Sequence, residues 1–247
     1  MKQALPLPEI GFETLSLVEL ELMKEGAEQV NEAHRTLKKG GLNVVGECLK
    51  NQGTFFQLEH YPKGDVFDGE SFSQYYYHAH REDRDEHGHF HTFMRAKGMS
   101  PDLQPVPYDG EVEWQKGDNA VSHVICISMD GPGFPIGMFA TNRWVTGETW
   151  YSWNDVVSML DSWHIDHAYP NLAVNQWISG MMKLFKPQIV ALLEHRDAVI
   201  EDWRQQYPDQ DVYEDRKLEV TGEYDISVAD QHARVLKLIE ERTAASS

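Results

Sequence analysis

The sequence predicts an α+β fold: an antiparallel sheet, one that could curl toward a barrel, flanked by an N-terminal helix and by C-terminal helices. Three observations carry this expectation. Residues 14–39 place apolar groups at helical spacing among many charges, and residues 154–245 return to that spacing. Between them, residues 54–145 hold short runs rich in Tyr, Phe, Thr, Val and Ile, separated by Pro, Gly and Asp. No stretch has the composition of a linker, so residues 1–247 are expected to form a single folded unit.

The elements follow in order. Leu15, Val18, Leu22, Ala33 and Leu37 form the stripe of the first helix, which Gly40 and Gly41 should end. Thr54 to Tyr61 sets Phe56, Leu58 and His60 at period two, which predicts a strand closed by Pro62. Ser73–His80 and His87–Arg95 predict a β-hairpin joined by the charged run 81–86. After a Pro- and Gly-marked loop over 98–118, Val121–Met129 and Ile136–Asn142 predict a second hairpin around Asp130-Gly131-Pro132-Gly133. An aromatic segment from Thr141 to Trp153 leads to helices opened by Pro170 and Pro187. The stretch from Pro208 to Tyr224 is polar, and Ser227 caps an expected last helix.

Composition narrows the classes of function. A chain that is 41% hydrophobic and 11% aromatic can bury a core. Its net charge of -18 repels phosphate backbones and anionic lipid surfaces, so neither nucleic acid nor membrane is an expected partner. Cys48 and Cys126 lie in apolar surroundings without metal-motif spacing, and both are expected to be free buried thiols in a reducing compartment. The sequence opens without an apolar run of signal-peptide length, so the cytoplasm is the expected location. A nucleophile elbow, a P-loop and a GxGxxG turn are all missing, which disfavours nucleotide-dependent chemistry.

The chemistry concentrates in one place. Five of the 12 histidines lie between His78 and His91, where chance would put about 0.7. On strands, His78 and His80 share one face, as do His87, His89 and His91. An even loop over 81–86 would set His80 opposite His87, His78 opposite His89 and Tyr76 opposite His91, all on one side. Cross-strand Cβ atoms about 5 Å apart let such rings share one ion. A bulge at Gly88 would turn His87 away, so His78, His80, His89 and His91 rank above His87 as metal ligands.

An imidazole shell without thiolate suits Fe, Cu, Zn or Ni, and the sequence leaves the ion open. His60, His123 and Glu59 on neighbouring strands, with Asp85 and Glu86 in the loop, are reserve ligands or supporting groups. His123 shares the parity of Val121, Ile125 and Ile127, so a core position fits it equally well. Arg143 is a candidate to orient a substrate carboxylate, against the plainer alternative of an ion pair with Glu148. These features point to a metal-dependent enzyme acting on a small molecule, with a redox metal that activates oxygen favoured. A zinc hydrolase or lyase with Glu86 as base, and a non-catalytic metal- or haem-binding protein, are the alternatives.

The strings Tyr76-Tyr-His-Ala-His80, Glu86-His-Gly-His-Phe-His-Thr-Phe93 and Thr141-Asn-Arg-Trp-Val-Thr-Gly-Glu-Thr-Trp150 resemble those of an uncharacterised bacterial family. The resemblance runs from the first hairpin to the C-terminal helices. It implies no activity, substrate or cofactor, so the functional expectation rests on the histidines.

Overall fold

A computed structural model describes residues 5–81 and 84–245. Six strands form one antiparallel sheet in sequence order: β1 (Tyr61–Phe67), β2 (Ser73–His78), β3 (Gly88–Arg95), β4 (Val121–Met129), β5 (Pro135–Thr141) and β6 (Val220–Asp225). The α+β expectation holds, but the sheet does not close into a barrel, and β1 and β6 remain its edges. Closure is unnecessary because helices already cover one face and bury its apolar side chains.

That face carries Tyr75 and Tyr77 of β2, Phe90 of β3, Ile127 of β4 and Met138 of β5. Against it pack α5 (Leu172–Leu184) and α6 (Lys186–Gln206): Trp177 meets Phe90 with ring centroids 5.3 Å apart, and the Tyr75 hydroxyl donates to Asn175 Oδ1 at 2.7 Å. The first helix, α1 (Leu17–Lys39), packs along α5. The two backbones approach so closely that a Cβ on Gly26 would lie 2.8 Å from the Gly180 carbonyl oxygen, and one on Gly180 would lie 2.8 Å from that of Gly26. Ser16 caps α1 through a reciprocal bond with Glu19, which fixes where the helix begins.

Short helices α2 (Val44–Leu49), α3 (Arg143–Thr146) and α4 (Trp153–Met159) complete the connections, and α7 (Val228–Ala245) packs on α1. The start of α7 matches the expected Ser227 cap, whose hydroxyl accepts from the Asp230 N–H at 3.2 Å. Among the described residues no helix is long and apolar enough to cross a membrane.

Two strand expectations need correction. Residues 54–60 form no strand; Leu58 has φ 67° and is 71% exposed, and β1 begins only at Tyr61. The left-handed backbone at Leu58 cannot continue a pleat, which period-two spacing alone does not reveal. Conversely, the polar stretch before Ser227 contains β6, an edge strand that needs only one apolar side.

Candidate metal centre

The other face of the sheet holds the histidines. Strands β2 and β3 pair without a register shift from Ser73↔Met94 to His78↔His89, with Tyr76 opposite His91. Gly88 introduces no bulge; a Cβ there would sit 2.5 Å from the His78 carbonyl oxygen and 2.6 Å from the Tyr77 hydroxyl, so the close approach requires glycine. His78, His89 and His91 therefore project from one face, and His80, just beyond the end of β2, closes the group.

The geometry is tight. His78 Nε2 lies 3.0 Å from both His89 Nε2 and His91 Nε2. The rings of His78 and His80, and of His80 and His89, have centroids 4.9 Å apart. One ligand atom from each of His78, His80, His89 and His91 falls within 4.8 Å of the others. Nitrogen ligands of a tetrahedral ion stand about 3.3 Å apart for bonds near 2.05 Å, close to the spacing here.

Hydrogen bonds behind the rings set their tautomers. Glu86 Oε1 accepts from His89 Nδ1 at 2.8 Å, with both side chains buried. His91 Nδ1 faces His123 Nε2 at 3.2 Å. With protons on these two Nδ1 atoms, His89 and His91 both turn bare Nε2 lone pairs inward, which is the form that ligates a cation. His78 Nδ1 has no such partner among the described residues.

Burial reinforces this chemistry. It depresses the pKa of His78 to about 2, with help from His89, His80 and His60, and pushes His91 well below its ordinary value. Burial also lowers His89 despite the opposing pull of Glu86, and takes His123 down to about 3. All four imidazoles are thus neutral at pH 7, with lone pairs free for a metal. Glu86 stays ionised: burial would raise its pKa, but the hydrogen bond from His89 and the charge of Arg81, 3.9 Å away, help to hold it below its ordinary value.

The sheet supplies the surrounding wall. A row across it runs Tyr76, His91, Cys126, Phe139 and Glu223. Tyr76 stacks on His91 at 4.9 Å, and Phe139 meets His89 edge to face at 5.1 Å. Arg81 folds back over Phe139, 4.4 Å from its centroid, and pairs with Glu223 at 2.9 Å. The wet side is marked by His80, whose side chain is 20% exposed near Glu219, and by His60, 44% exposed and stacked on Tyr76 at 3.5 Å.

The other expected residues are placed as follows. His87 is not brought to this group; its Nδ1 lies 2.7 Å from the Tyr77 hydroxyl and its ring stacks on Phe55, on the helix-covered side. It shares the parity of His89 but stands just before β3, outside the pairing that ends at His78↔His89, so the regular pleat no longer sets its face. Arg143 is buried; it pairs with Glu214, donates to the Glu148 carbonyl at 2.9 Å, and faces Trp114. Among the described residues it connects to the histidine face through Glu148, whose carboxylate accepts from the His123 N–H at 2.8 Å. Asp85 is exposed, and Glu59 lies before β1.

Two residues on this face carried weaker signals. His123 and Cys126 are three apart, an odd spacing that would put them on opposite faces of a regular strand. A register shift between β3 and β4 lets His91 pair with Cys126 while Phe93 pairs with His123, so both side chains turn to the histidine side. The Thr92 hydroxyl satisfies the backbone at this bulge, donating to the Ile125 carbonyl at 2.8 Å and accepting from its N–H at 3.1 Å.

A family model matches residues 24–226, which contain the whole sheet and every histidine named above. The chain belongs to the DUF6969 family. That family is described as a domain of unknown function, in keeping with an uncharacterised family. No curated protein and no solved structure matches the chain. For this DUF6969 member the chemistry must therefore be read from the site.

Proposed function

We propose that this DUF6969 protein is a metal-dependent enzyme acting on a small molecule, with a transition metal held by His78, His80, His89 and His91. The observation that carries this reading is the convergence of three Nε2 atoms at 3.0 Å contacts, with Glu86 and His123 behind two of the rings. A cation would accept the lone pairs that these neutral, buried imidazoles turn toward one another. An all-imidazole shell suits iron, copper, zinc or nickel; of these we favour a redox ion and hence oxidoreductase chemistry, and such an ion supplies electron transfer and Lewis acidity when bound.

Substrate would approach from the side of His80 and His60, where the site meets solvent. Tyr76 and Phe139 would give it apolar walls, and Arg81 would limit entry of water beside Phe139. Glu86 is tied to His89, which supports a role in orienting a ligand over that of a free general base in a zinc hydrolase. Ring contacts of 4.7 to 5.0 Å among the four histidines leave no slot for a porphyrin.

The test is elemental analysis of protein made without a histidine tag, compared with a His78→Ala, His89→Ala double variant. Stoichiometric metal in the wild type and its loss from these positions in the variant are expected. A metal-free wild type, or full retention in the variant, would sink the proposal.

A further inference from the structure

His91 has two nitrogens and uses both. While Nε2 points into the four-histidine group, Nδ1 lies 3.2 Å from His123 Nε2 and 3.3 Å from Cys126 Sγ. Cys126 Sγ is 3.4 Å from His123 Nε2, which closes a nearly equilateral triangle of two nitrogens and one sulfur. An ion with bonds near 2.0 Å to nitrogen and 2.3 Å to sulfur would hold such atoms roughly 3.3 to 3.5 Å apart. The triangle is within a few tenths of an ångström of that shape.

The trio is enclosed. Cys126 and His91 are fully buried and His123 is 2% exposed. Phe93 packs on His123 with centroids 5.1 Å apart, and Tyr76 covers His91. The arrangement also has a structural support that a core histidine would not need: the bulge held by Thr92 turns His123 and Cys126 to the same face.

We propose that His91, His123 and Cys126 form a second metal position, suited to copper, beside the four-histidine one, with the His91 ring joining the two. Two imidazoles and a thiolate in an enclosed three-donor site are a set that copper fills well. Binding displaces the thiol proton of Cys126 and the Nδ1 proton of His91 to solvent, and the ion takes the three lone pairs. The joining role of His91 rests on the four-histidine site proposed above, whereas the cysteine site stands on its own triangle. A centre of this kind would give the protein two metals in contact through one ring, hence a route for an electron between them.

The experiment loads untagged wild-type, Cys126→Ser and His78→Ala, His89→Ala proteins with copper(II) under anaerobic conditions, removes loose metal and counts what remains. Cobalt(II) serves as a redox-inert second probe. Two equivalents in the wild type, with a sulfur-to-metal charge-transfer band, falling to one equivalent without the band in Cys126→Ser, are expected. One equivalent in both proteins and no such band in the wild type would overturn the second position and leave the four-histidine reading intact. A sulfur band at one equivalent that survives the double histidine variant would uphold the cysteine site and overturn both its partner and the joining role of His91. The wild-type spectrum decides for or against thiolate ligation even where a variant fails to fold.

Discussion

At the scale of single residues, the site depends on which proton each ring carries. Glu86 fixes that for His89, because its carboxylate accepts a hydrogen bond from Nδ1 at 2.8 Å inside a buried pair. Replacing Glu86 with Gln keeps an acceptor of the same shape and removes the charge, which weakens the basicity of the ring it supports. Metal affinity should fall about 10- to 100-fold, as measured by competition with a chromophoric chelator. An unchanged affinity would mean that Glu86 serves the loop rather than the ligand. His87 provides the contrasting case, since its ring is spent on Tyr77 and Phe55. His87→Phe should leave the metal count and affinity unaltered in the same assay, and a lost equivalent would show that the hairpin can bring His87 to the ion.

At the scale of elements, hairpin register and one bulge determine what meets what. The pairing of His78 with His89 was legible in the sequence because antiparallel neighbours joined by a short loop obey a parity rule that is local. His123 and Cys126 were not, because the bulge that unites them belongs to the pairing of β3 with β4, strands separated by the long loop through residues 98–118. Parity read along β4 alone sends His123 to the core with Ile125 and Ile127. The missed start of β1 has a similar cause: the left-handed Leu58 breaks a period-two pattern that the residues themselves display. The bulge makes its own prediction. Thr92→Val preserves shape but strips both hydrogen bonds from Ile125, leaving a buried N–H and carbonyl unpaired. Stability should drop by about 1 to 3 kcal/mol in urea unfolding. A neutral result would indicate that the bulge is held by packing instead.

At the scale of the whole molecule, a sheet with helices on one face spends its other face on imidazoles that the fold keeps neutral, and this has a consequence for acid stability. His78, His89, His91 and His123 all have folded pKa values depressed by burial, to about 2 for His78 and about 3 for His123. Below pH 6.5 the unfolded chain binds protons at these positions that the folded chain refuses, so the unfolded state gains as pH falls. Each such group removes up to about 1.4 kcal/mol per pH unit until its own folded pKa is reached. Glu148 acts with the opposite sign: burial, only partly offset by Arg196 and the His123 N–H, raises its pKa to about 7. Its contribution is therefore fully present below the ordinary carboxyl value and lost as pH rises toward 7, but it is one group against four. Between pH 6.5 and 5 most other carboxylates do not titrate, so the histidines dominate this window. With metal removed by a chelator, the urea midpoint should fall steadily from pH 6.5 to pH 5, and His123→Gln should flatten the slope by one proton. A flat profile over that range would mean that the buried imidazoles are already protonated in the fold, and the face could not then serve as a bed of ligands.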